Sequence, residues 1–183
     1  MKNSNTITLA ALLLLSSSFS ILKPITWKVK PNYSVKVVGA FDDKMIFKTL
    51  TAMIIFDEDA PEKSKLMATV DAKSLHSPSP EMTEHAKQAL EIIKFPEIAF
   101  VSTSITRTKL GYEATGDLTL KGITKQIKFP FVFNSTKDIA DQFPFVAKQT
   151  FSGKIIIRSK DFNVTRKGTP EQIIIDLTIP VTK

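Results

Sequence analysis

Alternation of apolar and polar side chains is the strongest constraint on how this chain can fold. From Tyr112 to Leu120 every second residue is apolar or small, and Ile127, Phe129, Phe131 and Phe133 repeat at the same spacing. Successive side chains of a β-strand point to opposite faces, so a period of two predicts strands with one face toward a core. Further runs of this kind, rich in β-branched residues and Phe, lie at 33–37, 45–56, 65–72, 97–108, 151–157 and 173–179.

Short segments marked by Gly or Pro separate these runs and predict tight turns. They lie at 57–63, around Gly111, at Lys121–Gly122 and at 166–171. About eight strands result, mostly joined by hairpins, which is the pattern of an antiparallel meander. Eight strands in an open sheet would leave exposed edges, so the sequence favours closure into a barrel. A barrel of this size is either filled by side chains or wide enough for one small ligand.

One segment departs from the period of two and predicts a helix between the third and fourth strands. Ser79 is a suitable N-cap, and Pro80 suits the first helical position. Met82, Ala86, Ala89, Leu90 and Ile93 then repeat at helical spacing until Pro96, which predicts an amphipathic helix of about 13 residues. Its apolar stripe indicates packing on the sheet, and such a helix can also close one end of a barrel.

The apolar faces of the strands supply many large inward side chains. Those we predict to line the interior are Phe100, Tyr112, Leu118, Ile127, Phe129, Phe131, Phe133, Phe151, Ile155 and Ile175. Two interpretations remain open at this point, a packed core or a lumen around a hydrocarbon guest. The second is physically reasonable because each buried CH₂ of a guest contributes about 0.8 kcal/mol. Among the ten residues, Tyr112 alone has a hydroxyl to offer to a head group.

The residue types needed for common enzyme chemistry do not come together in this sequence. His76 and His85 are the two histidines, and there is no Cys to complete a zinc site. No Gly-x-Ser-x-Gly motif marks a serine nucleophile, and no GxGxxG or Walker-type loop marks a nucleotide site. Asp57, Glu58 and Asp59 crowd one turn without EF-hand spacing. We therefore predict no catalytic residues, no metal site, no cofactor and no enzymatic activity.

The first twenty residues have the composition of a signal peptide. Lys2 precedes an apolar run that extends to Leu15, and Ser18 and Ser20 occupy positions −3 and −1 of a cleavage site after Ser20. The run is short for a membrane span of about 20 residues, although an uncleaved anchor is the alternative. This predicts residues 1–20 as a signal peptide, residues 21–183 as one domain, and a periplasmic or secreted location.

The net charge of +7 limits the classes of partner. Basic residues are scattered rather than clustered beside exposed aromatic residues, which argues against nucleic-acid binding. A moderately basic surface is compatible with transient contact with an anionic membrane. The oligomeric state stays open, with a homodimer as one option.

Five segments in order give the chain a resemblance to the YceI-like family of polyisoprenoid-binding periplasmic proteins. They are WKVKPNYSVKV, FDEDAPEKSKLMATVDAKSL, HAKQALEIIKFPEIAFVST, YEATGDLTLKGITKQIKFPFVF and FSGKIIIRSKDFNV, which span most of 27–181. The resemblance implies a lipocalin-like, eight-stranded antiparallel β-barrel with one helix. It also implies an elongated apolar lumen that holds a long isoprenoid, and export to the periplasm.

The chain departs from the family pattern at a few polar positions. Lys30 and Tyr33–Ser34 stand where the opening strand of the family carries Asp and His-Ser, and Arg158 lies one place early. Asn163 replaces a glycine, and because Asn tolerates a left-handed backbone, we expect that turn to be retained.

Three hypotheses about function follow from the sequence. The leading one is a non-catalytic carrier for a long-chain isoprenoid lipid or quinone held in the barrel lumen. The second is a structural or protein-interaction barrel with a filled core and no lipid ligand. The third, an enzyme acting on lipids, ranks lowest because the inward faces carry few titratable groups.

Overall fold

The computed structural model describes residues 25–38, 45–135 and 149–183. The predicted signal peptide and its cleavage site lie outside these residues. The elements in chain order are β1 (Thr26–Val29), β2 (Ser34–Val38), β3 (Met45–Phe47), β4 (Leu50–Ile55), β5 (Lys65–Asp71), β6 (Leu75–His76), α1 (Pro80–Leu90), β7 (Glu97–Thr108), β8 (Gly111–Leu120), β9 (Ile123–Asn134), β10 (Gln149–Arg158) and β11 (Gln172–Thr182).

The strands form a closed antiparallel barrel. Strands β4, β5, β7, β8, β9, β10 and β11 pair in that order. One edge of β11 pairs with β10, and its other edge pairs with β2 and then with β1, which in turn pairs with β4. The pairs β1 and β2, β3 and β4, and β5 and β6 are each two parts of one interrupted strand. The barrel therefore has eight strands, and α1 lies between the third and the fourth, as predicted.

The interruptions of the first three strands are bridged by side chains. The Tyr33 hydroxyl lies between β1 and β2, donates to the carbonyl oxygen of Lys48 at 2.7 Å, and accepts from the backbone N–H of Leu50 at 2.9 Å. The Ser74 hydroxyl oxygen accepts from the backbone N–H groups of Lys48 and Thr49 at 3.1 and 3.0 Å. These contacts satisfy backbone groups that the interrupted ladder leaves unpaired.

Two turns that the sequence predicts have a left-handed backbone, which was expected at Asn163. Lys121 and Gly122 both have positive φ, 54° and 73°, between the paired residues Leu120 and Ile123. This is the two-residue turn that matches the twist of a β-hairpin. Asn163 has a φ of 53° and a ψ of 30°, so the turn that follows β10 is retained without glycine.

Helix α1 begins where the sequence predicts and ends earlier. The Ser79 hydroxyl oxygen accepts from the backbone N–H of Met82 at 3.3 Å, and Pro80 is the first helical residue. The helix has 11 residues rather than about 13, because it ends at Leu90 with Glu91 in the left-handed conformation. Pro96 therefore follows the end of the helix without causing it.

The end of α1 is a Schellman motif. The backbone N–H of Glu91 donates to the carbonyl oxygen of Gln88 at 3.1 Å, and that of Ile92 donates to the carbonyl oxygen of Lys87 at 3.3 Å. The ammonium group of Lys121 lies 2.7 Å from the Glu91 carboxylate and lowers its pKa through a hydrogen bond. The helix end is thus attached to the turn between β8 and β9.

Candidate functional site

The inward faces of the strands form one apolar interior. Eight of the ten predicted interior residues are buried, and Ile127 and Ile175 are half-buried. On β9 the alternation is complete, since Phe129, Phe131 and Phe133 are buried and the residues between them are exposed. The interior is not uniform along the barrel axis, however.

One end of the interior is filled by aromatic rings. Phe56 is fully buried, and its ring centroid lies 4.9 to 5.8 Å from those of Tyr112, Phe131, Phe133 and Phe151, with the rings edge to face. We call the set Trp27, Phe56, Tyr112, Phe131, Phe133 and Phe151 the aromatic plug. Edge-to-face pairs are a preferred geometry of aromatic side chains, so the plug is a packed core rather than a space for a guest.

The backbone around the plug is held by Trp27. Its indole N–H donates to the carbonyl oxygen of Phe56 at 2.9 Å, and its ring centroid lies 5.1 Å from that of Phe133. This bond joins β1 to the residue that follows β4 and satisfies the one polar atom that the buried indole carries.

Tyr112 belongs to the plug. Its ring stacks on Phe131 with a centroid distance of 5.3 Å, and the guanidinium of Arg107 lies 5.3 Å from its centroid. Arg107 also donates to the carbonyl oxygen of Glu58. Burial raises the pKa of the Tyr112 phenol above its ordinary value, so the phenol is neutral at physiological pH.

The other end of the interior holds a cavity of about 470 Å³ between α1, the barrel wall and the segment 164–170. Its apolar lining includes Val37, Met45, Phe47, Leu75, Met82, Ala86, Ala89, Leu90, Ile98, Leu118, Leu120, Ile157, Val164, Ile173 and Ile175. Three exposed charged or titratable residues, Glu81, His85 and Lys167, also line it. We call this polar rim the mouth, and the barrel end that carries it the mouth end.

A second, smaller cavity of about 150 Å³ lies deeper in the barrel. Phe47, Ile98, Leu118 and Ile175 line both cavities and therefore lie where the two cavities adjoin. Phe131 and Phe151 of the plug form part of the wall of the deeper cavity. The interior is thus an apolar column that runs from the mouth through two cavities to the plug.

Seven of the ten predicted residues line one or both cavities. They are Phe100, Leu118, Phe129, Phe131, Phe151, Ile155 and Ile175. Tyr112 and Phe133 lie in the plug, and Ile127 packs against the core without lining either space. The sequence analysis did not assign Met82, Ala86, Ala89 and Leu90 of α1 to the cavity lining. Their apolar stripe was the signal that could have identified them. It offered no signal for the segment 167–170.

The walls of this column are almost entirely apolar. Within 25–38, 45–135 and 149–183, no three His, Cys, Asp or Glu side chains cluster as metal ligands do. No helix in the same ranges is long and apolar enough to cross a membrane. Apolar walls with a few polar groups at one opening are typical of pockets for hydrophobic ligands, and 470 Å³ is within their usual size range.

Comparison with known proteins agrees with this architecture. The family model described as the YceI-like domain matches residues 20–182. A UPF0312 protein of Enterobacter sp. (strain 638) is 32% identical over 138 residues, which cover 74% of this chain and 70% of the relative. Protein YceI of Salmonella arizonae is 30% identical over the same shares of the two chains.

Solved structures share the fold. BcnA of Burkholderia cenocepacia has a TM-score of 0.72 at 22% identity, covering 85% of this chain and 100% of that one. A polyisoprenoid binding domain from Saccharophagus degradans, implicated in plant cell wall breakdown, has a TM-score of 0.54 at 9% identity, covering 85% of this chain and 97% of that one. The family model over residues 20–182 and the curated relatives at 30–32% identity show more than the fold: this chain belongs to the YceI-like family.

Proposed function

We propose that this protein is a non-catalytic carrier that holds a long-chain isoprenoid lipid or quinone in its apolar column. The observation that carries the proposal is the pair of adjoining cavities between the mouth and the plug, lined almost entirely by apolar side chains. A relative by fold is described as a polyisoprenoid binding domain, which supports the same class of ligand.

Hydrocarbon burial alone is sufficient for useful affinity. Each buried CH₂ contributes about 0.8 kcal/mol, whereas association costs about 4–15 kcal/mol in lost translational and rotational freedom. A few isoprene units, with five carbons each, therefore offset that cost without polar contacts. The head group is then expected at the mouth, where Glu81, His85 and Lys167 are in contact with water.

The leader-like residues 1–20 support export to the periplasm as the place where the carrier acts. The lumen supports a non-catalytic role, because the described lining residues beyond the mouth are almost all apolar, and no general base lies among them beside the hydroxyls of Ser152 and Thr169.

The first test is native mass spectrometry of the protein purified from a bacterial host, followed by solvent extraction and identification of the released lipid. We expect one equivalent of a long-chain lipid, and uptake of a prenyl quinone by the delipidated protein. Repeated absence of lipid, together with no uptake of prenyl quinone or fatty-acyl probes, would favour the filled structural barrel instead.

A pair of helix variants links binding to the cavity. Ala89 lines the large cavity, whereas Gln88, its neighbour on α1, is exposed and does not. We expect Ala89→Trp to fill the cavity and abolish quinone uptake, and Gln88→Trp to leave uptake unchanged. Equal uptake by the two variants would show that the lipid binds elsewhere.

A further inference from the structure

The deeper cavity lies where small residues face one another across the barrel. Ala52 of β4 and Ala68 of β5 are paired directly, and both line this cavity together with Gly153 of β10. Strands β5 and β10 are four places apart in the ring of eight strands, so they lie on opposite sides of the interior. A small residue in a packed core normally faces a large one. Here small residues face each other, and a space of about 150 Å³ remains between them.

The large residue next to this layer is held against the wall. Phe100 of β7 is the ladder partner of Ala68, and its ring covers Gly116 of the neighbouring strand β8. A Cβ at Gly116 would be 2.6 Å from the Phe100 ring, so the ring occupies the place that a side chain there would take. The ring centroid lies 5.3 Å from that of Phe129 on β9, with the two rings edge to face. Phe100 therefore extends along the wall and leaves the cavity open.

The wall of the deeper cavity is also free of polar side chains that face inward. Among its described lining residues only Ser152 has a polar side chain, and Ser152 is paired with the exposed Val132 on the outer face of the barrel. Apolar cavities of about this volume stay dry and take up benzene or xenon. The larger cavity differs, because charged and titratable side chains stand at its opening.

We propose that the deeper cavity is a subsite for one compact apolar group, about the size of a benzene ring or a single isoprene unit, and that the last unit of the lipid chain occupies it. Binding of a compact group depends only on the cavity. Its assignment to the chain end rests on the proposed carrier function, because it requires a chain that enters from the mouth and passes the place where the two cavities adjoin.

The surroundings of this subsite favour a hydrocarbon. Phe100 and Phe129 line its side, and Phe131 and Phe151 form its floor. These rings pack against other rings, so a hydrocarbon that leaves water for this space gains contacts with little loss of side-chain entropy. A polar group would lose its hydrogen bonds to water and find no side-chain partner in this wall. The subsite therefore selects the apolar end of a lipid and leaves the head group at the mouth.

The first test uses benzene and xenon as probes of the delipidated protein. We expect benzene to raise the temperature of unfolding, because a ligand that binds only the folded state stabilises it. Under xenon pressure, the methyl NMR signals of Ala52, Ala68 and Ile155, which line the deeper cavity, should shift. The signal of Ile156, which is 53% exposed, should stay in place. Unshifted signals of the three lining residues, together with no effect of benzene, would overturn the subsite.

Two variants at neighbouring residues of β4 link this binding to the cavity. Ala52→Leu adds a larger side chain within the cavity and should weaken benzene binding at least about tenfold. Thr51→Leu is the matched control, because it places the same side chain at an exposed residue that does not line the cavity, and it should change benzene binding less than about twofold. Equal benzene binding by the two variants would overturn the location. Circular dichroism confirms that both are folded, and the xenon measurement requires neither.

Competition with a long-chain prenyl quinone tests the position of the chain end. Saturation with benzene should weaken quinone binding to the unmodified protein about tenfold, which corresponds to two buried CH₂ groups. The same benzene concentration should have no effect on quinone binding to Ala52→Leu, because its subsite is filled. Equal competition in the two proteins would overturn the assignment of the chain end to the subsite.

The same measurements separate the subsite from the carrier function. Binding of benzene and xenon without any binding of quinone would refute the carrier function and leave the subsite standing. Binding of quinone without binding of benzene or xenon would refute the subsite and leave the carrier function standing. Benzene binding that does not weaken quinone binding would refute the position of the chain end alone.

Discussion

The two ends of this barrel are built from the same alternating strands but differ in what the inward side chains meet. At the plug end Phe56 is surrounded by four aromatic rings. At the mouth end, smaller side chains of α1 such as Ala86 and Ala89 face the wall across open space. The alternation decides which side chains point inward, and their size decides whether the interior is solid or hollow.

The largest effect on stability is expected from removing the central ring of the aromatic plug. Phe56→Ala should lower the free energy of unfolding by about 3–5 kcal/mol, because a fully buried ring is lost and its neighbours cannot close the space. Urea denaturation measures the change. Met82→Ala is the comparison at the mouth end, where the side chain borders an existing cavity, and we expect a loss below about 1 kcal/mol. Similar losses would mean that the two ends are equally packed.

Binding of the ligand in the cavity at the mouth end should have the next largest effect on the free energy of unfolding. At a free concentration of 100 times Kd, a bound prenyl quinone should raise the free energy of unfolding by about 2.7 kcal/mol. Ala89→Trp should abolish this gain. We expect hydrogen exchange to slow in α1 and to change little around Phe133. Slowing of exchange at the plug alone would place the ligand at the wrong end.

Two glycines in the wall allow a smaller test. A Cβ at Gly116 would overlap the carbonyl oxygen of Val101 and lie 2.6 Å from the Phe100 ring, so Gly116→Ala should cost about 1–3 kcal/mol. A Cβ at Gly153 would lie 3.1 Å from the Phe131 Cβ, and Gly153→Ala should change stability by less than about 1 kcal/mol. Thermal denaturation of both variants checks the order, and a reversed order would show that the backbone at Val101 and the Phe100 ring both shift readily.

Much of the fold could be predicted because its signals are local. The alternation in β9, the N-cap at Ser79 and the turn at Lys121–Gly122 each depend on neighbouring residues, and each is confirmed. Closure of an eight-stranded barrel followed from the unpaired edges of an open sheet.

The division of the interior could not be predicted, because it depends on which inward residues meet across the barrel. Phe133 and Ile175 have the same alternating pattern, yet Phe133 packs in the plug and Ile175 borders both cavities. The interruptions of the first three strands were also not predicted. The residues 45–56 are apolar on both faces, so their alternation does not show where the ladder breaks.

The smallest effect on stability is expected where Tyr33 bridges the interrupted strands. Tyr33→Phe removes the hydroxyl that bonds to Lys48 and Leu50, and the site is accessible enough for water to replace part of the loss. We expect about 1 kcal/mol of destabilisation, measured by urea denaturation. Quinone uptake should stay unchanged, and a loss of uptake would show that this bridge shapes the cavities.

The aromatic plug makes the lumen a blind tube. A lipid chain bound as proposed would stop at Phe131 and Phe151, which are held by the other rings of the plug. The depth of such a tube limits how much of a guest chain it can bury. A short chain leaves part of the wall uncovered, and a long chain leaves its last units in water. The protein would then select among lipids of one chemical series by the length of their hydrocarbon chains rather than by recognising a chemical group.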